Sequence, residues 1–117
     1  MPLVEFNDVT FGYKEDDYLL LRNLSFTVEK NDIITVIGAS GCGKSTLFRL
    51  MTCLEKDYTG SISINGKSPE NASGTAAFMP QKDLLMPWRN ILKNVTLPLE
   101  VLPISKSERI EIAKEAL

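Results

Sequence analysis

The chain has 117 residues, an apolar fraction of 44%, a charged fraction of 24% and a formal net charge of −2. This length allows one domain, and the composition is that of an ordinary globular protein. The nearly balanced charge excludes binding to nucleic acid or anionic membranes through a basic patch, and no apolar run is long enough to cross a bilayer. With two cysteines and no histidine, the usual ligand set of a zinc site is also lacking.

The beginning of the chain is predicted to form β-strands. Apolar and polar residues alternate over residues 4–7 and again over residues 24–29, as is typical of strands with one buried face. The polar stretch 12–17 between them indicates a turn. These features predict two strands joined by a polar connection.

A glycine-rich loop follows, between a predicted strand and a predicted helix. Residues 33–37 form a continuous apolar run, and apolar residues then recur at helical spacing at Leu47, Leu50, Met51 and Leu54. Residues 38–45 have glycine, four variable positions and then Gly-Lys-Ser. This is the phosphate-binding P-loop pattern in the context that it requires. A glycine-rich turn that contains Lys-Ser by chance is the alternative, and the flanking pattern disfavours it.

The residue types of this loop suit a bound triphosphate. The start of a helix offers unpaired N–H groups and the positive end of its dipole, and glycines let the backbone wrap closely around phosphate. Lys44 can reach the β- and γ-phosphates, and the hydroxyl of Ser45 can bind Mg²⁺. Cys42 lies at the electropositive helix start, where a thiol is expected to be reactive. We predict a nucleotide site formed by Gly38, Ser40, Gly41, Cys42, Gly43, Lys44, Ser45 and Thr46, with Thr46 near the α-phosphate.

The second half of the chain carries weaker patterns. Residues 61–65 alternate as a strand that ends in an Asn-Gly turn, and residues 76–79 are a further strand candidate. Residues 91–99 have a helical pattern that a proline disturbs, and Ser105 with Glu108 reads as a capping box. The helix that follows has an apolar face and no stop signal before residue 117. Strands at the front and a strand–loop–helix unit together predict a mixed sheet with a parallel core.

Several of these segments together resemble the first part of an ABC transporter ATPase subunit. Besides the loop, the resemblance rests on an aromatic at Tyr13, where the family stacks adenine, and on a Q-loop beginning at 78–81. Residues 84–89 and 94–95 are similar to ATPases of nitrate, sulfonate and taurine importers. The strands at 24–28 and 60–66 also match.

The resemblance implies an α/β fold, with a P-loop NTPase (ABC ATPase) core and an antiparallel β-subdomain, truncated in the helical subdomain. Residues 1–80 would form the nucleotide-binding core, and residues 81–117 would form the Q-loop and the start of the helical subdomain. The implied cofactors are ATP and Mg²⁺. Lys44 and Gln81 would be catalytic, Ser45 and Gln81 would hold Mg²⁺, and Tyr13 would stack on adenine. The plainer alternatives are an ordinary strand-end aromatic at Tyr13 and a surface amide at Gln81.

The resemblance also implies partners. Residues 81–90 would contact a transmembrane permease subunit, with Leu84, Leu85, Met86 and Trp88 divided between core and interface. A second ATPase subunit would complete a dimer, a solute-binding protein would act indirectly, and no nucleic acid would bind. The expected location is cytoplasmic, on the inner face of the cell membrane.

The family's Leu-Ser-Gly-Gly-Gln signature, its Asp-Glu strand and its switch histidine are absent from these 117 residues. We therefore expect an N-terminal fragment that binds ATP without hydrolysing it alone, and an open hydrophobic edge beside the P-loop strand. The alternatives are a non-catalytic nucleotide- or partner-binding module, and a different P-loop enzyme such as a kinase or GTPase. No Asn-Lys-x-Asp guanine motif is present, which disfavours a GTPase.

Overall fold

The computed structural model describes residues 1–15, 18–72 and 75–117. Its contacts divide the chain into two units, Met1–Met79 and Pro80–Leu117. The first unit contains a β-sheet and the glycine-rich loop, and the second contains short helices. Part of the predicted polar turn, residues 16–17, lies outside the described residues, and so do residues 73–74.

The sheet of the first unit has three antiparallel strands, β1 (Val4–Phe11), β2 (Leu21–Val28) and β3 (Thr59–Ile64), in the order β2-β1-β3. Phe6 at its centre lies opposite Phe26 on one neighbour and Ile62 on the other. The rings of Phe6 and Phe26 stack with centroids 4.6 Å apart. The predicted alternation at the front of the chain and the antiparallel β-subdomain are thus confirmed.

Helix α1 (Lys44–Met51) follows the glycine-rich loop and buries one face in the core of this unit. Leu50 is fully buried with Val9 and Phe6, and Leu47 joins the same cluster. Burial of such side chains stabilises the fold by about 1.5–3 kcal/mol each. Leu54, assigned to this face from its spacing, lies beyond the end of the helix and is exposed.

The predicted Asn-Gly turn after β3 is confirmed. Asn65 and Gly66 both have positive φ, at 50° and 78°, which is the backbone of a type I′ turn. Ile64 and Lys67 exchange hydrogen bonds of 2.7 and 3.0 Å across it. A short 3₁₀ turn at Pro69–Asn71 follows.

Two predicted strands are not formed. Residues 33–37 and 76–79 have no strand structure, so the predicted parallel core is wrong for the described residues. The physical reason is that a strand needs a neighbouring strand to bond its backbone, and the described part of the chain pairs only the three antiparallel strands. Ile33 and Ile37 are 94% and 89% exposed as a result. The expected apolar exposure therefore occurs along an irregular segment rather than a strand edge.

The second unit contains helices α2 (Ile91–Thr96) and α3 (Lys106–Ala116) with a 3₁₀ turn, Leu97–Val101, between them. The predicted disturbance by Pro98 is confirmed, since the α-helix gives way to 3₁₀ geometry there. Ser105 caps α3 by accepting a 3.3 Å hydrogen bond from the Glu108 N–H, as predicted. No helix among the described residues combines the length and apolar character needed to cross a membrane.

Asn94 ties the loop before α2 to that helix. Its Oδ1 accepts from the Met86 N–H at 2.8 Å, and its Nδ2 donates to the carbonyls of Met86 and Arg89 at 3.2 and 3.0 Å. One partly buried amide therefore fixes the course of residues 86–90.

We expect Gly60→Ala to destabilise the first unit by at least about 3 kcal/mol. Gly60 has φ +86°, and an added Cβ would lie 2.4 Å from the Asp8 carbonyl oxygen. Gly41→Ala is the matched control, because Gly41 has φ +81° with open space around it and should lose only about 1–2 kcal/mol. Urea unfolding followed by circular dichroism measures both, and equal losses would contradict the close approach of β3 to β1.

We expect Asn94→Ala to accelerate hydrogen exchange of the Met86 amide about tenfold, because that N–H loses its acceptor. The Glu108 amide, bonded to Ser105, is the internal control and should exchange at an unchanged rate. Unchanged exchange at Met86 would show that Asn94 does not hold the loop.

Candidate functional site

The glycine-rich loop delivers the chain directly into α1. Gly43 is the N-cap with φ 104°, Lys44 is the first helical residue, and the first helical hydrogen bond runs from the Leu47 N–H to the Gly43 carbonyl at 3.0 Å. The N–H groups of residues 44–46 consequently have no acceptor within the helix. No side chain in the described ranges caps this end. These donors and the helix dipole favour an anion at this position.

Gly43 meets two demands that other residues cannot. Its φ is left-handed, and an added Cβ would lie 3.0 Å from Leu21 Cδ2 and 3.2 Å from Leu20 Cγ. The start of β2 therefore supports the loop from behind. This contact was missed from the sequence, because no local pattern reports a neighbour more than twenty residues away.

Lys44 turns back into the loop. Its Nζ donates to the carbonyls of Gly38 and Ala39, the second at 2.9 Å. The Cys42 N–H also donates to the Ala39 carbonyl, at 3.2 Å. An ammonium has three donors, so two of them are used by the backbone and the positive charge lies inside the turn. The loop thus presents both a cation and helix N–H groups to one small region.

The remaining loop side chains lie at the surface. Ser40, Cys42 and Ser45 are exposed. A Cβ added at Gly38 would lie 2.5 Å from the sulfur of Cys42, so glycine at position 38 leaves the room that this thiol occupies. Behind the loop, an apolar groove of about 440 Å³ runs between β2 and residues 34–37.

Tyr13 reaches the first turn of α1. Its hydroxyl lies 3.4 Å from Oγ1 of Thr46, which is 5% exposed, and its ring contacts Phe11 edge-on with centroids 5.0 Å apart. Two residues assigned separately to the nucleotide site are therefore in contact. Tyr13 also lines an open cavity of about 360 Å³, whose rim carries the charged residues Lys14, Glu15, Glu55 and Asp57. Lys14 and Asp57 form an exposed ion pair of 3.2 Å there.

Gln81 lies in the second unit, where it is exposed. Its contact with Mg²⁺ and water stays a prediction. Of the large side chains that follow, Leu84, Leu85 and Trp88 are exposed, and Met86 is partly buried. This stretch is therefore mainly surface.

Residues 21–117 match the family model described as ABC transporter. The chain is 45% identical over 111 residues to the formylaminopyrimidine import ATP-binding protein of Halalkalibacterium halodurans, covering 95% of this chain and 42% of the relative. It is 39% identical over 109 residues to a taurine import ATP-binding protein of Pseudomonas aeruginosa, covering 93% of this chain and 41% of the relative. The chain thus spans about two fifths of the length of these relatives.

A solved structure described as the ATP-binding subunit of an ABC transporter superposes with a TM-score of 0.71 at 26% identity. The superposition covers 91% of this chain and 45% of that structure. The predicted α/β fold of an ABC ATPase is confirmed by this likeness. Sequence, fold and loop agree, and the chain belongs to the ABC transporter family, in which it is similar to the ATP-binding subunits of import systems.

Proposed function

We propose that this chain forms the ATP-binding part of an import ATPase, with the loop 38–46 as the phosphate site. The observation that carries the proposal is the arrangement at the start of α1. Uncapped helix N–H groups and the Lys44 ammonium converge on one turn, which is held open by glycines at positive φ. A polyphosphate offsets this positive potential better than any neutral ligand.

Lys44 has the central role in this proposal. Its two backbone acceptors, Gly38 and Ala39, are neutral carbonyls. Phosphate oxygens carry full negative charge and form stronger hydrogen bonds with an ammonium. Bound ATP would therefore draw the side chain away from the carbonyls, and Lys44 would stabilise charge on the β- and γ-phosphates.

Ser45 and Gln81 are the proposed protein ligands of Mg²⁺. Both offer oxygen atoms, the ligand type that this ion prefers, and both are exposed to an incoming ion. The ion would neutralise phosphate charge when bound. Gln81 can donate and accept at once, which suits a residue that orients a water molecule beside the γ-phosphate.

Tyr13 is the proposed contact for the adenine base. Its ring is only half-buried, and its hydroxyl contact with Thr46 links it to the helix that carries the phosphate loop. Stacking of a base on such a ring is worth about 1–3 kcal/mol. The Thr46 hydroxyl would then serve both Tyr13 and the α-phosphate.

Hydrolysis and transport are proposed for a longer protein that contains this chain. The support is the length of the relatives, since this chain spans 42% of the formylaminopyrimidine import protein. Such a protein would act at the inner face of the cell membrane, as one of two ATPase subunits, with a permease at residues 81–90 and a solute-binding protein acting indirectly. The exposed Leu84, Leu85 and Trp88 support a partner surface there.

A non-catalytic nucleotide- or partner-binding module is the second candidate. The observation that favours it is that all the residues proposed for phosphate contact lie within residues 38–46. Phosphate binding would therefore not require the additional residues that the longer relatives have. ATP turnover by the native polypeptide that carries this chain, purified from its source cell, distinguishes the two, because a module of this kind binds ATP and releases it unchanged.

We expect Lys44→Ala to weaken binding of Mg-ATP to this chain at least about tenfold, because the ammonium is the one side-chain cation in the loop. Displacement of a fluorescent ATP analogue measures the affinity, and Lys67→Ala, an exposed change in the turn after β3, is the control. In a longer protein that hydrolyses ATP, Lys44→Ala is expected to abolish turnover. Wild-type affinity in Lys44→Ala would overturn the phosphate site.

We also expect saturating Mg-ATP to slow alkylation of Cys42 about tenfold by covering its exposed thiol. Peptide mass spectrometry after timed N-ethylmaleimide treatment gives the rate, and Cys53, which lies beyond α1, is the internal control. In Lys44→Ala the same protection should require at least about tenfold more ATP. Equal rates with and without ATP would show that Cys42 does not border the nucleotide.

A further inference from the structure

A groove of about 560 Å³ lies within the second unit, between α2 and α3. Its charged lining is strongly unequal, with four cations and one carboxylate. The cations come from the residue before the cap of α2, from α2 itself and from the first turns of α3. They are Arg89, Lys93, Lys106 and Arg109, and the carboxylate is Glu100.

Glu100 neutralises only part of this charge. Arg89 Nη2 donates to Glu100 Oε1 at 2.5 Å. This hydrogen bond, with the positive charges of Arg89 and Arg109, holds the pKa of Glu100 below its ordinary value. The carboxylate is therefore ionised at neutral pH and already committed to Arg89. The charges of Lys93, Lys106 and Arg109 remain without a matching carboxylate in the groove.

The two guanidinium groups are also incompletely bonded. The Nε atoms of Arg89 and Arg109 are buried and have no hydrogen-bond partner among the described residues. Buried charged groups normally have their donors satisfied. The positive charge of these two guanidinium groups is thus only partly compensated by protein hydrogen bonds. An anion bound in the groove would compensate the rest.

Apart from the polar residues Asn90 and Thr96, the rest of the lining is apolar. Trp88 is 78% exposed at the groove, and Leu92 and Ile110 are partly buried in its wall. A volume of about 300–1,000 Å³ with apolar walls and a few convergent polar groups is typical of small-molecule sites. A purely inorganic ion would leave the apolar wall uncovered.

We propose that this groove binds a small organic anion with a carboxylate or phosphate head and a short aliphatic part. Lys93, Lys106 and Arg109 hold the head, and the aliphatic part lies along Trp88 and Ile110. The site is contained in residues 88–110 and does not depend on nucleotide binding at residues 38–46.

Trp88 makes the test direct, because it is the one tryptophan in the chain and it lines this groove. The full chain is titrated at constant ionic strength with hexyl phosphate and with hexanoate. Hexan-1-ol is the control that has the aliphatic part without the charge. Inorganic phosphate is the control that has the charged group without the aliphatic part. We expect a saturable change with at least one organic anion, at concentrations at least about tenfold below those needed for hexan-1-ol or inorganic phosphate. The tighter of the two organic anions identifies the head group.

Variants separate this site from general surface binding. Lys93→Gln with Lys106→Gln removes two exposed charges and should weaken the organic anion about tenfold. Lys114→Gln, an exposed position on α3 outside the groove lining, and Lys44→Ala should both bind as the wild type does. Circular dichroism checks that each variant is folded. The proposal is overturned by the absence of a saturable change with either anion, by an equal response to hexan-1-ol, or by unchanged affinity in the double variant.

Discussion

The packing of α1 against the three-stranded sheet is the interaction on which the rest of the first unit depends. Leu50 and Leu47 enter the cluster formed by Phe6, Val9 and Phe11, and this contact fixes the axis of the helix. Because the orientation of α1 is fixed, the N–H groups of its first turn and Lys44 also have a fixed orientation. Leu20 and Leu21 add a second support behind Gly43. The geometry proposed for phosphate binding thus depends on core packing as much as on glycine content.

Local sequence patterns correctly predicted the elements that depend on residue type and on spacing within a short segment. The alternation in β1 and β2, the Asn-Gly turn and the Ser105 cap all follow from spacing and residue type, and all are present. Residues 33–37 show the limit of this reasoning. An apolar run indicates that a segment favours burial, but it does not show that a neighbouring strand is available to pair with it. Among the described residues, no strand pairs with residues 33–37. The contact between Tyr13 and Thr46 likewise joins positions that no short pattern relates.

The candidate site was predicted from residue types, and the structure adds the physical arrangement of part of it. It brings Lys44, Gly38 and Ala39 together and joins Tyr13 to Thr46. Ser45 and Gln81 are each exposed, and their shared role rests on the proposal of a bound metal ion. The two anion sites proposed for this chain differ in the source of their positive charge. One uses backbone amides with a single lysine, whereas the groove between α2 and α3 uses several long cationic side chains.

The exposed segment at residues 33–37 has a consequence for the chain in solution. It reads Ile-Ile-Thr-Val-Ile, without charge or proline, and β-branched residues of this kind favour intermolecular cross-β stacking. Three of its four aliphatic side chains are more than half exposed, so two molecules can pair these segments without first unfolding. The residues that precede the proposed nucleotide site therefore expose an aliphatic strip of the kind that favours self-association at high protein concentration.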